Sequence, residues 1–388
     1  MKTLLQILPS LEKTGGGVEK GTLDIAKEAS AKGFNSVIIS SGGDMAEKYR
    51  YKGVSHYKLS LKKKNIFNYF FLRNGFNRLL DKLKPDIVHI RSRWPAFCFN
   101  DQVIKRNIPL VTTYHGTYSG NNFLLKKNYN RLMTQGDRVI AISAFIFQHI
   151  LKNFPECVSR LRLVNRGIDT EYFSLTSVKQ FRKESFLKNL SIEENKHIIL
   201  LPGRLTSWKG QMIAIEAAKI ISETRPDIDF LMLLVGSEQS RTGYLNLLKQ
   251  KINKHNLQSK VLLVGNRQDM PAIYSISDLV LSTSIEPEAF GRVSAEASSM
   301  SKPIIGSKIG ATKDIIVDNH TGWLVKENDS FELANKILDV FNKTQKEKDF
   351  IGINARRRVI EKYSLKKMLN TKLSLYEELL SRKKYNDN

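Results

Sequence analysis

Two cations and two carboxylates in the second half of the sequence have the types and spacing to hold a phosphorylated, hydroxyl-rich ligand. Arg204 and Lys209 lie in PGRLTSWKG (202–210), which also carries Gly203. Glu288 and Glu296 lie in EPEAFGRVSAE (286–296), with Glu286 just before them and Phe290 and Gly291 between them. A guanidinium is a planar fork and an ammonium a point charge. Together they suit a departing diphosphate at about 1.5 to 3 kcal/mol per charged hydrogen bond. A carboxylate accepts two donors at once, so one acid can take the hydroxyls of a sugar and the other those of a ribose. Wholly helical, the span from Glu288 to Glu296 would rise about 12 Å, an upper limit comparable to an extended nucleotide-diphosphate sugar. Two plainer readings stand beside this one: acids gathered at a helix start complement its dipole, and the cations form a solvated basic loop.

The first half offers fewer candidates. TGGGVEK (14–20), with Gly16 and Gly17, follows an apolar run and opens a helical pattern as a phosphate-approach loop would, but it lacks the full G-x-G-x-x-G spacing. His115 closes PLVTTY (109–114) and precedes Gly116, where an imidazole could orient a sugar hydroxyl. A lone histidine is more often structural. Asn165 to Asp169 form another loop after an apolar run. Asp227 and Asp229 superficially offer a metal-binding pair, yet they precede their strand and so sit at the wrong end of a sheet. No metal is expected.

These residues need strands to carry them. Short apolar runs at 4–8, 36–40, 86–90, 109–114, 137–142 and 161–165 alternate with helical stretches. The pattern restarts at 197–203, 230–236, 260–265, 278–283 and 302–307. Few runs alternate polar with apolar residues, as expected of parallel strands buried on both faces. The fold class is therefore α/β, with two Rossmann-like, doubly wound parallel-sheet domains facing a cleft, and ligands at the carboxyl ends of the strands. The polar stretch from Ser174 to Lys196 reads as a linker without a strand, and after Gly322 the chain reads as mostly helical. The expected domains are 1–175, 176–363, and a closing helix over 364–388.

The 388 residues suffice for two domains, and 41% hydrophobic content is that of a globular chain. Cys98 and Cys157, the only two cysteines, have no metal-ligand spacing and read as core thiols of a cytoplasmic protein. No apolar run reaches the roughly 18 residues of a membrane span. The leading MKTLLQILPS reads as a first buried strand, without the features of a signal peptide. The net charge of +24 favours a polyanionic partner or an anionic surface, with general drift toward lysine as the alternative. Residues 50–84 concentrate the charge, holding ten Lys or Arg against one acid among many aromatics. That segment suits docking to an anionic membrane surface; the other reading is a solvated helix packing its aromatics inward. Nucleic acid is not expected as a partner, since no nucleic-acid motif is present and the acids occupy the place a phosphate backbone would need.

Together, GGGVEKGTLDIA, TYHG (113–116), NRGIDTEYF (165–173), PGRLTSWKGQ (202–211) and EPEAFGRVSAEA, continuing through KPIIGSKIGATKDIIVDNHTGWLV, resemble the retaining glycosyltransferases of family four, in that family's order from residue 14 to about 325. The resemblance implies the GT-B architecture and a hexosyltransferase reaction with retention, without cofactor or metal. It implies that Arg204 and Lys209 stabilise the departing nucleoside diphosphate, that Glu288 contacts the donor sugar, and that Glu296 grips the ribose. It places the backbone at Phe290 and Gly291 against sugar or phosphate, His115 beside the sugar, and a closing helix back on the first domain. The expected donor is a UDP-, GDP- or ADP-sugar. The expected acceptor is a glycan or a lipid-linked sugar of the bacterial envelope, including lipopolysaccharide. Ala311 stands where a second glycine is common and Asp314 where glutamate is frequent, which leaves the donor contacts open. A sugar-nucleotide epimerase on the same architecture is the rival within enzymes, and a basic nucleic-acid-binding protein the rival outside them.

Overall fold

The computed structural model describes residues 1–12, 17–48, 51–118, 122–190, 192, 196–239 and 242–386. The chain divides into two compact units, one made of Met1–Asn165 with Lys366–Asn388 and the other of Arg166–Leu365.

The first unit is built on seven strands: β1 (Thr3–Ile7), β2 (Asn35–Ser40), β3 (Val54–Lys58), β4 (Ile87–Ile90), β5 (Leu110–Tyr114), β6 (Arg138–Ala141) and β7 (Leu161–Leu163). They pair in parallel in the order β3-β2-β1-β4-β5-β6-β7. The winding reverses between β1 and β4, the switch point at which doubly wound sheets open a crevice. The helix Leu365–Asn386 returns to this unit. Its Tyr376 is fully buried, with the hydroxyl 2.6 Å from Nδ1 of His89 on β4, while the Thr113 hydroxyl of β5 lies 2.7 Å from Nε2 of the same ring. Arg138 on β6 donates to Glu378 of the same helix. Arg91, just beyond β4, is also buried, and burial lowers its pKa to about 10.

The second unit has six parallel strands: β8 (His197–Pro202), β9 (Phe230–Val235), β10 (Val261–Gly265), β11 (Leu279–Ser282), β12 (Ile304–Ser307) and β13 (Trp323–Val325), in the order β10-β9-β8-β11-β12-β13. Its switch point lies between β8 and β11. Both faces of this sheet are covered. Ile199, Leu201, Met232 and Leu234 join one apolar layer, and Ile198, Leu200, Leu231 and Leu233 join the other, so no strand residue needs to be polar. The stretch read as a linker contains the helix Gln180–Asn189. Its Arg182 pairs with Asp269, Nε donating to Oδ2 at 2.8 Å, and Phe173 packs edge-on to Tyr274 at 6.0 Å. These residues belong to the second unit.

Two edge strands fall outside the runs read from the sequence. β3, VSHYK, is an edge strand whose residues are half-buried or exposed, so it carries no apolar run. β13 has three residues at the opposite edge of its sheet, and beyond it the chain is mostly helical, as expected after Gly322.

Candidate active site

The loops that leave β8 and β11, neighbours at the switch point, are fastened to each other before any charge is considered. After β8 the chain passes Gly203 and Arg204, makes a single turn over Ser207–Lys209, and enters the helix Gln211–Thr224 through Gly210. Gly210 has φ +74°, and a Cβ there would fall 1.9 Å from the Thr283 carbonyl oxygen, so only glycine allows this approach. Ile285 N–H donates to the Trp208 carbonyl at 2.8 Å, and the Gln211 side chain donates to the Arg204 carbonyl at 2.9 Å.

On this frame sits a compact polar cluster. Lys209 Nζ donates to Glu288 Oε1 at 2.7 Å, and Ser284 Oγ donates to the same oxygen at 2.6 Å. The Lys209 and Glu288 side chains are only 12% and 10% exposed. The Trp208 ring lies 4.4 Å from Lys209 Nζ and 5.8 Å from the guanidinium carbon of Arg204, so one aromatic ring meets both cations. The loop after β12 closes in from the other side. Ala311 N–H donates to the Glu288 carbonyl at 2.9 Å, and a Cβ on Gly310 would come within 2.7 Å of the Glu288 amide nitrogen.

A second cluster lies one helix further on. Gly291, with φ +74°, caps the helix Arg292–Ser299, and Phe290 is buried 6.3 Å from Tyr363. Glu296 is almost wholly buried on this helix. Its Oε2 accepts from the Tyr274 hydroxyl at 3.0 Å and its Oε1 from Arg292 Nε at 2.6 Å. Burial, and then the Glu296 charge, push the Tyr274 phenol well above its ordinary value, so it stays a proton donor to that carboxylate.

The second unit thus brings Gly203, Arg204, Lys209, Glu288, Phe290, Gly291 and Glu296 onto the carboxyl-end loops of β8 and β11 and the helix that follows. Glu286 is exposed. His115 follows β5 and Gly17 begins the helix Gly17–Ala31, both in the first unit; Gly16 lies outside the described residues. Asp227 precedes β9, and both its oxygens accept from Arg225, at 2.8 and 2.6 Å. The side chains that sequence reasoning missed are Trp208, Ser284, Tyr274 and Arg292. The first two stood inside quoted or adjoining loops, whereas nothing in the spacing marks Tyr274, which comes from the helix Met270–Ile276.

The arrangement presents cations, buried carboxylates and helix-start amides at the edge of a doubly wound sheet. Comparison with known proteins identifies the family. Residues 182–358 match the family described as "Glycosyl transferases group 1", and residues 15–172 match "Glycosyltransferase Family 4". The crystal structure of a glycosyltransferase from Rickettsia africae ESF-5 is 33% identical, covers 98% of both chains and superposes with a TM-score of 0.88. N-acetyl-alpha-D-glucosaminyl L-malate synthase of Bacillus anthracis is 26% identical over 94% of each chain. UDP-Gal:alpha-D-GlcNAc-diphosphoundecaprenol alpha-1,3-galactosyltransferase of Escherichia coli is 25% identical over 79% of each. With its two Rossmann-like sheets of the GT-B type, the chain is a glycosyltransferase and belongs to glycosyltransferase family 4.

Proposed function

We propose that this glycosyltransferase moves a sugar from a nucleoside-diphosphate sugar to a glycan or lipid-linked acceptor of the bacterial envelope, with retention at the anomeric carbon. The observation that carries the reading is the Lys209–Glu288 pair, fixed over Trp208 beside Arg204 at the carboxyl ends of β8 and β11.

In this reading the bond from the anomeric carbon to the diphosphate oxygen breaks with its electron pair going to that oxygen. Arg204 and Lys209 meet the growing charge and favour the transition state over the bound donor. An ammonium has three donors, so pairing with Glu288 does not exhaust Lys209. Glu288 orients the sugar through its hydroxyls, Glu296 takes the ribose hydroxyls, and the amides after Gly291 face the phosphates. The acceptor hydroxyl attacks the same face of the sugar, and its proton passes to the departing phosphate oxygen. His115, in the first unit, is assigned to a sugar hydroxyl. The cations do the work a metal would otherwise do, and Asp227, engaged by Arg225, is not counted as a ligand. The similar Escherichia coli enzyme, by its name a transferase of galactose from UDP-Gal to a diphosphoundecaprenol-linked sugar, supports a UDP-sugar donor and a lipid-linked acceptor. Among the described residues no helix is long and apolar enough to cross a membrane, so such an acceptor would be met by peripheral docking through residues 61–84.

A thermal-shift screen with UDP-, GDP- and ADP-sugars identifies the donor, and NMR of the product reads the new linkage. Transfer of labelled sugar in the α configuration, resistant to chelators, supports the proposal. An inverted linkage, an altered free sugar with no transfer, or near-normal turnover by both Arg204→Ala and Lys209→Ala would overturn it.

A further inference from the structure

Eight large apolar side chains stand out into solvent on or beside three consecutive helices of the first unit, and exposed lysines flank them. The helix Ile66–Leu83 is firmly seated. It buries Leu72, Phe76 and Leu80, stacks Phe76 on Phe99 at 4.1 Å, and locks Arg73 onto Asp101 through two hydrogen bonds of 2.6 Å. Its opposite face leaves Phe67 85% exposed, with Ile66, Phe70 and Phe71 also standing out. The helix Leu124–Arg131 repeats the arrangement, with Leu125 86% exposed and Phe123 and Leu124 beside it. It too is anchored, by Arg93 donating to the buried Asn130 at 2.8 Å.

The helix Arg93–Lys105 lies between them and joins the two apolar groups. Its exposed Phe97 sits 5.3 Å from Tyr69 on one side and 6.0 Å from Tyr129 on the other. Both outer helices follow parallel strands, β3 and β5, so their starts lie at the carboxyl edge of the sheet, where a doubly wound domain receives its ligand. Residues 61–78 and 122–136 contain no Asp or Glu, while Lys63, Lys64 and Lys126 are exposed next to the aromatic side chains. Lys126 Nζ lies 5.4 Å from the Phe123 ring. Apolar tips flanked by exposed ammonium groups match the layering of an anionic bilayer surface, acyl chains below and phosphate headgroups at the rim.

We infer that Ile66–Phe71, Phe97 and Phe123–Leu125 form one continuous face that inserts into an anionic lipid bilayer, with Lys63, Lys64 and Lys126 on the headgroups. The inference rests on the membrane-docking reading given above and extends it from one segment to a surface built by three helices.

The test is flotation of the full chain with vesicles of phosphatidylcholine alone or mixed with phosphatidylglycerol, for the native protein, the pair Phe67→Ser with Phe71→Ser, and the pair Leu124→Ser with Leu125→Ser. These side chains are outside the core, and unchanged unfolding midpoints and donor-induced thermal shifts verify that the fold and the donor site persist. The expected result is salt-sensitive binding to the anionic vesicles only, with each pair lowering the partition coefficient about tenfold or more. Loss with the Phe67/Phe71 pair and none with the Leu124/Leu125 pair would overturn the three-helix face and leave docking by residues 61–84 standing. Absence of binding by the native protein would overturn both, and self-association abolished by either pair would identify the face as a contact between copies. The donor shifts report separately on sugar transfer, so failure of docking and failure of the glycosyltransferase mechanism are distinguishable.

Discussion

Lys209 and Glu288, 79 residues apart in sequence, meet at 2.7 Å between Nζ and Oε1 with little solvent around either. Each partner is therefore the other's main compensation. Lys209→Ala should lower kcat/KM for the nucleotide-sugar donor by about 100-fold to 1000-fold, through loss of charge at the leaving group. It should also cost on the order of 2 kcal/mol of stability, because Glu288 loses its cationic partner in a largely dry place. Glu288→Gln keeps a hydrogen-bond acceptor for Lys209 and should lose activity with a smaller loss of stability. Initial-rate kinetics and chemical denaturation check both. Equal stability losses for the two variants would contradict this account of the pair.

Tyr274→Phe removes one hydroxyl from the carboxylate assigned to the ribose. Glu296 keeps Arg292 but loses the donor that fixes its other oxygen. Donor KM should rise about fivefold to tenfold, part of the worth of one charged hydrogen bond because Tyr274 acts through Glu296, with kcat changed far less. A fall in kcat at constant KM would place Tyr274 nearer the reaction than this structure does.

Gly210→Ala places a methyl group against the Thr283 carbonyl at a positive φ. The loops after β8 and β11 must then part. The expected cost is about 2 to 4 kcal/mol, together with a lost thermal response to donor, measured by denaturation and thermal shift. A variant that binds donor normally would show that the two loops need not touch.

His89 predicts an acid-sensitive first unit. Complete burial, then the positive charges of Arg91 and Lys372, hold its pKa well below the ordinary imidazole value of 6.5; Tyr376 and Thr113 face it as neutral partners. Below about pH 6.5 the unfolded chain takes up a proton that the folded chain refuses, so stability is complete above that pH and falls as the pH drops. The slope contributed by this one group approaches about 1.4 kcal/mol per pH unit. Denaturation between pH 7 and pH 5 should show that slope in the native protein and a shallower one in His89→Asn. Parallel slopes would remove His89 as the cause.

Much of the architecture was legible because buried parallel strands cannot hide their apolar runs. The runs at 36–40 and 230–236 lie within one residue of β2 and β9. β3 was not legible, since an edge strand with exposed side chains has no need of an apolar run. At the site, the residue types of Lys209, Glu288 and Glu296 announced themselves through position after strands, but their holders did not. Tyr274 reaches Glu296 only because two helices pack, and no local spacing encodes that contact. The segment 66–83 was ambiguous between facing inward and outward, and it does both. Leu72, Phe76 and Leu80 recur every fourth residue and are buried, while Phe67, Phe70 and Phe71 occupy the other side.

The return of the helix Leu365–Asn386 to the first unit sets an order of assembly. The second unit is one uninterrupted stretch of chain, Arg166–Leu365, whereas the first is interrupted by all of it. During synthesis, residues 1–165 emerge with the His89 and Arg138 surfaces bare. The second sheet can therefore close while the first still awaits Tyr376 and Glu378, and the half made earliest is the half completed last.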